Sequence, residues 1–292
     1  ARACEADERG IRILLEALCG LDLLSQEDGS YLLSPVAARY LSQESPFCVS
    51  NLSLGFAAPW EWGAFGRLAD AVKSGQPNVY SYMEGRETEC LEAMVSAIAT
   101  LGIPTAEAIC DVLGVGAGGE GTGLRVLDIA CGSGVYGYTI ARRDPHAQVV
   151  GLDRRNILRI AGRLAEQLGV AGRVQHRPGN VLSLRFGEEA FDLAIISNVF
   201  HQYGAQHVRE ILAKAYAALV SGGRLVLNDF IADDARCRAT DALLMSVDML
   251  IYTAEGEAHS LSEYRGWLEE AGFRQVSYHP LPGLTQLLVA VK

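Results

Sequence analysis

Apolar residues recur at helical spacing through the first third of the chain. From Glu8 to Cys19, Ile11, Leu14, Leu15 and Leu18 fall at i, i+3, i+4 and i+7, and Gly20 stops the run. Asp28-Gly29, flanked by Leu23-Leu24 and Tyr31-Leu32-Leu33, predicts a hairpin. Ser34-Pro35 predicts an N-cap followed by proline at the first helical position. The order helix, hairpin, helix is winged-helix-like. Leu91, Met94, Val95 and Ile98 predict a helix over 87–101 that Gly102 ends, after which Thr105 caps a short helix stopping near Gly114. From Gly114 to Gly123, six of ten residues are glycine, which reads as a flexible linker or surface loop.

The second half alternates two periods. Strand-like runs lie at Arg125–Ala130, Gln148–Asp153, Val174–His176, Phe191–Asn198 and Arg224–Phe230. Helical stripes such as Val208, Ile211, Leu212, Ala215 and Leu219 lie between them. This alternation predicts a mostly parallel sheet covered on both faces. Two helices follow the fifth strand, and the second opens on a Ser260–Glu263 capping box and buries Tyr264, Trp267 and Leu268. Arg274–His279 and Thr285–Val291, joined by a short turn at Pro280–Gly283, predict a terminal antiparallel hairpin. The fold class is therefore α/β. Residues 1–113 form a mostly helical domain, 114–123 a glycine-rich linker and 124–292 a ligand-binding domain.

The length of 292 residues accommodates about two such domains. The net charge of −10 disfavours a polyanionic partner unless a local basic patch exists, and the first 40 residues carry four Arg against seven Asp and Glu. No run of about 18 apolar residues suggests a membrane span. Seven cysteines, with no CxxC or Cys/His ligand spacing, argue against a disulfide framework or a zinc site and for small buried residues in a reducing cytoplasm. No other metal constellation is visible. The chain begins inside a helical pattern with no signal peptide, as expected of a protein whose first element is missing.

Two stretches fit Gly-x-Gly-x-x-Gly. Gly114, Gly116 and Gly119 follow a helix and precede a strand, so nothing orients them at a helix N-terminus and they read as a decoy. Gly132, Gly134 and Gly137 follow Val126–Ala130 and open a helix, the context in which backbone approaches a ligand at a strand's carboxyl end. Asp153 ends the second strand, where a carboxylate accepts hydrogen bonds from two ribose hydroxyls. An adenosine-type cofactor follows, either a nicotinamide dinucleotide or S-adenosylmethionine (SAM). Asp128 discriminates between them. It repels a pyrophosphate, whereas a sulfonium ligand with an amino group tolerates its charge. The alternative role for Asp128 is to tie down the turn through backbone N–H groups.

Val126-Leu-Asp-Ile-Ala-Cys-Gly-Ser-Gly134 resembles the first motif of class I SAM-dependent methyltransferases. Over nearly the whole chain the resemblance extends to small-molecule O-methyltransferases of the plant phenolic and bacterial natural-product type. Trp60, Trp62 and Gly75-Gln-Pro77 match the Trp-bearing helix that precedes a Gly-x-Pro in that family. The resemblance implies a Rossmann-like seven-stranded sheet with a reversed terminal hairpin, a winged-helix-like dimerisation domain and a homodimer; the charge and hydropathy above lead to the expectation of no nucleic-acid or membrane partner. It places the cofactor, SAM, with S-adenosylhomocysteine as product, on Asp128, Gly132, Gly134, Asp153 and Arg154. Asn180 and Val181 would flank the adenine, and Ser197 and Asn198 the methionine portion. Asn180 stands where Asp is usual, and Ala130-Cys131 where two Gly are common.

His201, just past the fourth strand, resembles the family's catalytic base, and Asp229, at the end of the fifth, one of its acids. A neutral imidazole accepts a phenol or enol proton, and a carboxylate stabilises the imidazolium that forms. The family's second acid aligns with Ala258, which cannot replace it; Glu257 is adjacent. Gln202-Tyr203 replace a common Asp-Trp. Trp60, Trp62, Tyr80, Tyr82 and Met83, with Met245 and Met249 from the helix after the fifth strand, are candidates to line an apolar acceptor pocket. The reading is methyl transfer from SAM to a hydroxyl of a small, largely apolar, aromatic or polyketide-like molecule, with His201 as general base. C-methylation of a similar acceptor uses the same scaffold. A nicotinamide-dependent oxidoreductase is opposed by Asp128 and the terminal hairpin. A winged-helix regulator is opposed by the offset of Arg9 and Arg12 by Glu8 and Glu16.

Overall fold

The computed structural model describes residues 1–45, 47–50, 52–78, 88–118, 121–281 and 283–292. Helix α1 (Glu8–Gly20) starts where Asp7 Oδ1 accepts the N–H groups of Arg9 and Gly10. None of its residues is buried, although its apolar residues share one stripe. Strands β1 (Leu24–Glu27) and β2 (Ser30–Leu33) form the expected hairpin, Glu27 opposite Ser30. Asp28 and Gly29 between them both take positive φ, 47° and 77°, as a tight two-residue turn demands. Helix α2 (Pro35–Tyr40) is capped by Ser34, whose Oγ accepts Ala37 N–H. Short helices α3 (Leu52–Phe56), α4 (Pro59–Phe65) and α5 (Leu68–Ser74) follow.

One helix, α6 (Thr88–Leu113), replaces the two shorter ones that Gly102 suggested. It runs through both Gly102 and Pro104. The reason lies in α7 (Val135–Arg143): a side chain at 102 would meet Val135 Cγ1 at 3.1 Å and Tyr136 Oη at 3.4 Å. Gly102 therefore permits close helix approach rather than ending a helix. The Val95–Leu113 portion of α6 is long and apolar enough to cross a membrane by length and composition alone, although Glu107 and Asp111 interrupt it. Within it, Ile109 and Cys110 are buried in the core, and Glu107 and Asp111 pair with Arg143.

The main sheet comprises β3 (Arg125–Ile129), β4 (Gln148–Asp153), β5 (Val174–Pro178), β6 (Phe191–Ser197), β7 (Leu219–Asp229), β8 (Arg274–His279) and β9 (Gln286–Val291). Its order is β5-β4-β3-β6-β7-β9-β8, parallel from β5 to β7, with β9 antiparallel to both neighbours. Alternate residues face opposite cores. Leu127, Ile129, Ala194, Ile196, Leu225 and Leu227 pack with α9 (Ala205–Ala218) and α11 (Leu261–Glu270). Val126, Leu193, Ile195 and Val226 pack with α7, α8 (Arg155–Gln167) and the end of α6. Helix α10 (Thr240–Tyr252) leaves the sheet and meets the first part of the chain: Ile251 and Tyr252 cluster with Ala64, and Trp60 and Leu68 pack against them. The Ser260–Glu263 capping box of α11 is complete.

The glycine-rich stretch reaches β3 through one buried carboxylate. Asp144 Oδ2 accepts the N–H groups of Thr122, Gly123 and Leu124 and the Thr122 hydroxyl, and Asp144 Oδ1 accepts His146 N–H. A side chain at Gly121 would lie 2.2 Å from Asp144 Oδ1. Burial pushes the Asp144 carboxyl up, but these donors outweigh it and hold the group below the usual range.

Candidate active site

The carboxyl ends of β3 to β7 gather the predicted residues in one crevice, as open α/β sheets do. After β3 the chain turns at Ala130, Gly132 and Gly134, all at positive φ. A side chain at Gly134 would collide with the Tyr138 ring at 2.2 Å, whereas one at Gly132 would project into open space. Gly132 thus leaves the mouth of the loop unfilled. Asp153, at the end of β4, clamps this loop: its Oδ2 accepts Gly132 N–H at 2.8 Å and its Oδ1 accepts Arg154 N–H at 2.7 Å. Burial raises the Asp153 carboxyl, opposed by those two amides and the Arg154 charge.

Asp128 lies beneath the loop rather than at its mouth. It is 1% exposed, and its Oδ2 accepts Gly137 N–H at 3.1 Å. Burial pushes its carboxyl to about 7, with the nearby Asp153 charge adding to the rise and the Gly137 amide opposing it. Its visible contact is the one that ties down the turn. A recess of about 360 Å³ opens beside Asp153, lined by Arg154, Arg155, Pro178, Gly179 and Asn180. Asn180 Oδ1 accepts Leu182 N–H, which shapes the turn after β5; Val181 is buried. Beside the recess, α8 exposes Arg155, Arg159 and Arg163 along one face, a local basic strip that the reading of the sequence missed.

The loop after β6 carries the candidate base. Asn198, at φ 56°, turns the chain out of the strand, and its N–H donates to Asn228 O. Its Nδ2 donates to Tyr136 Oη at 3.1 Å, while its buried Oδ1 has no partner among the described residues. Ser197 Oγ accepts Asn228 Nδ2–H at 2.8 Å. Three residues on, His201 Nδ1 lies 2.5 Å from Asp229 Oδ1, and both side chains are buried. Asp229 also accepts Phe200 N–H and His201 N–H on Oδ2, and Phe230 N–H on Oδ1. Burial works to raise the Asp229 carboxyl. The His201 contact and the backbone donors prevail, so it stays ionised below the usual range. An ionised Asp229 accepts from Nδ1–H, which leaves the His201 Nε2 lone pair free to take a proton.

The second acid has no substitute. Ala258 is fully buried, and Glu257 points outward to Arg236 Nη1 at 2.9 Å. Arg236 holds the Glu257 carboxylate, so the residue adjacent to Ala258 points elsewhere. Among the acceptor candidates, Met249 is buried, Met245 and Trp60 are half-buried, and Trp62 is 71% exposed. Tyr80, Tyr82 and Met83, like Gly119 of the decoy motif, lie outside the described residues. Tyr136 and Asn228 were missed from sequence. Nothing local marks Tyr136 except its place one turn past the glycine loop. No group of three or more metal-ligating side chains occurs among the described residues.

The donor set fits an adenosylated amino acid. An open-topped glycine loop, a carboxylate at the end of β4 and an orphaned amide oxygen on Asn198 match a ribose diol and an ammonium group. Residues 65–274 match the family model of the O-methyltransferase domain. The chain is 27% identical to 3-hydroxy-5-methyl-1-naphthoate 3-O-methyltransferase of Streptomyces sahachiroi, over 98% of this chain and 82% of that protein. It is 26% identical to the N,N-dimethyltransferase OxyT of Streptomyces rimosus, over 95% of this chain and 81% of the relative. A solved structure described as an O-methyltransferase of Nostoc punctiforme superposes with a TM-score of 0.89 at 27% identity, covering 100% of this chain and 87% of that one. The chain belongs to the O-methyltransferase family and takes its methyl group from SAM.

Proposed function

We propose that the protein methylates a phenolic hydroxyl of a small, largely apolar aromatic or polyketide-like molecule, with His201 as general base and Asp229 as the acid that orients it. The buried His201–Asp229 contact carries this reading. SAM supplies an electrophilic methyl group. Gly132, Gly134, Asp153 and Arg154 hold its ribose side, Asn180 and Val181 its adenine, and Ser197 and Asn198 its amino-acid end; Asp128 supports the loop from below. His201 Nε2 removes the acceptor proton, and Asp229 stabilises the imidazolium. Most of the acceleration comes from holding nucleophile and methyl donor in line.

Trp60, Met245 and Met249 line the acceptor side, where α4 and α5 meet α10. The packing of Trp60 against Ile251 and Tyr252 supports this placement. The unburied face of α1, with Ile13 and Leu14 exposed, supports a homodimer formed through the first domain, with residues 114–123 joining it to residues 124–292. The test is transfer of isotopically labelled methyl from SAM to a panel of hydroxynaphthoates and related fused-ring phenols, with matched amines as controls. The reading requires ether products, lost in His201→Ala while S-adenosylhomocysteine binding persists. Labelled carbon–methyl or amine products, or full activity in His201→Ala, would overturn it.

A further inference from the structure

Tyr136 sits where three parts of the molecule meet. It belongs to the first turn of α7, two residues past Gly134 of the cofactor loop. Its phenol oxygen accepts Asn198 Nδ2–H at 3.1 Å, from the loop that carries His201. Gly102 of α6 packs against the same ring, where a Cβ would lie 3.4 Å from Tyr136 Oη.

Asn198 is itself a constrained residue. A non-glycine side chain at φ 56° is disfavoured and persists only where the surroundings over-determine it. Here Asn198 N–H donates to Asn228 O, Gln202 Nε2 donates to Asn198 O at 3.4 Å, and the side chain is tied to Tyr136. The tie also holds the Asn198 side chain in place. With Nδ2 committed to Tyr136 at 3.1 Å and to Ser197 Oγ at 3.4 Å, Oδ1 is the atom left without a partner.

We propose that Tyr136 is a positioning residue for methyl transfer: it holds the Asn198 side chain at the cofactor's amino-acid end and couples the glycine loop to the loop that carries His201. The inference rests on the assignment of Asn198 to the cofactor and His201 to the base. Tyr136 touches neither reacting atom in this account and acts through Asn198.

The experiment is a double-mutant cycle on the full chain. S-adenosylhomocysteine is titrated calorimetrically into wild type, Tyr136→Phe, Asn198→Gly and the double variant. Asn198→Gly accepts the left-handed backbone without strain, and Tyr136→Phe keeps the ring, so both preserve the fold. Loss of one hydrogen bond predicts about 3- to 10-fold weaker binding in Tyr136→Phe. The double variant should bind within about 2-fold of Asn198→Gly alone, because the second change then removes a partnerless group. Hydrogen exchange at the Phe200 and His201 amides should quicken in Tyr136→Phe without a matching change in β3. Additive losses, wild-type affinity in Tyr136→Phe, or unchanged exchange at those two amides would overturn the proposal. His201→Ala run alongside separates the two readings: an inactive-base result bears on the catalytic assignment, whereas the binding cycle bears on Tyr136.

Discussion

Asp229→Asn tests the orientation of His201 at a single atom. The carboxylate accepts four hydrogen bonds, two on each oxygen. An amide must place its NH2 on one side or the other. Facing Phe200 and His201 N–H, it would orphan two buried backbone donors. Facing the Oδ1 side, it orphans only Phe230 N–H, and His201 escapes by moving its proton from Nδ1 to Nε2 so that Nδ1 accepts. Each orphaned donor costs about 1–3 kcal/mol, so the second arrangement wins by about that amount. The expected loss in unfolding free energy is therefore about 2–4 kcal/mol, one orphaned donor plus the weaker neutral contact to His201. The chemical consequence is larger. With the proton on Nε2 the ring has no lone pair facing the acceptor, and the rate should fall by roughly 10²–10⁴, the span of a general base. Nitrogen chemical shifts of the His201 ring would read the tautomer directly, urea melts the stability, and labelled-methyl transfer the rate. An Asp229→Asn protein that keeps Nδ1–H and a wild-type rate would refute the orientation argument.

His201→Gln should lose roughly 10²–10⁴ in turnover while S-adenosylhomocysteine affinity, measured by calorimetry, stays within about 2-fold of wild type. Asp153→Ala should weaken that ligand by about 1.5–3 kcal/mol, because it removes a charged acceptor and frees Gly132 N–H; calorimetry again decides. Asp144→Ala should cost about 3 kcal/mol of stability in urea melts, since its loss leaves several donors around β3 unpaired. Because Asp144 is held below the ordinary carboxylate range, its contribution is present at neutral pH and lost as pH falls through its folded value, so the variant should show a shallower acid loss than wild type. Asp128 has the opposite sign: a folded carboxyl near 7 binds more protons than the unfolded chain, so stability should decline as pH rises from about 4 to about 7. Asp128→Asn should flatten that decline, and equal slopes in the two proteins would contradict it.

The parts of the site that sequence reveals are those built from a local pattern. Val126–Gly134 shows strand and turn in nine residues, with a helix opening directly after, and Asp153 follows at the end of the next strand, so both could be placed before any coordinates. His201 and Asp229 lie 28 residues apart, and only the resemblance to a known family paired them. What stayed hidden depends on distant partners. Gly102 reads as a helix stop because the sequence does not show Tyr136 pressing against it. Asp144 carries no signal of its own in the sequence because the amides it caps before β3 lie 20 to 22 positions away. Glu257 reads as a spare acid until Arg236 is seen to hold it. The basic face of α8 is diluted in a sequence of net charge −10 and emerges only when the helix aligns its arginines.

The single acid beside His201 bears on which acceptor suits this site. Ordinary values place a phenol about 3.5 pKa units above an imidazole, so a complete proton transfer between them lies about 5 kcal/mol uphill. An aliphatic hydroxyl, nearer water at about 15.7, raises that to about 12 kcal/mol. One buried carboxylate lies on Nδ1, and Glu257, turned to Arg236, adds no second. The phenol gap is the easier of the two to close by partial proton transfer in step with attack on the methyl group. The same logic ranks acceptors within the phenols. A hydroxyl acidified by a neighbouring carbonyl or carboxyl-bearing fused ring should react fastest, and the slope of log rate against acceptor pKa should steepen in Asp229→Asn. A site that methylated aliphatic alcohols and phenols equally well would contradict this ranking, because the larger proton-transfer gap should slow the alcohols.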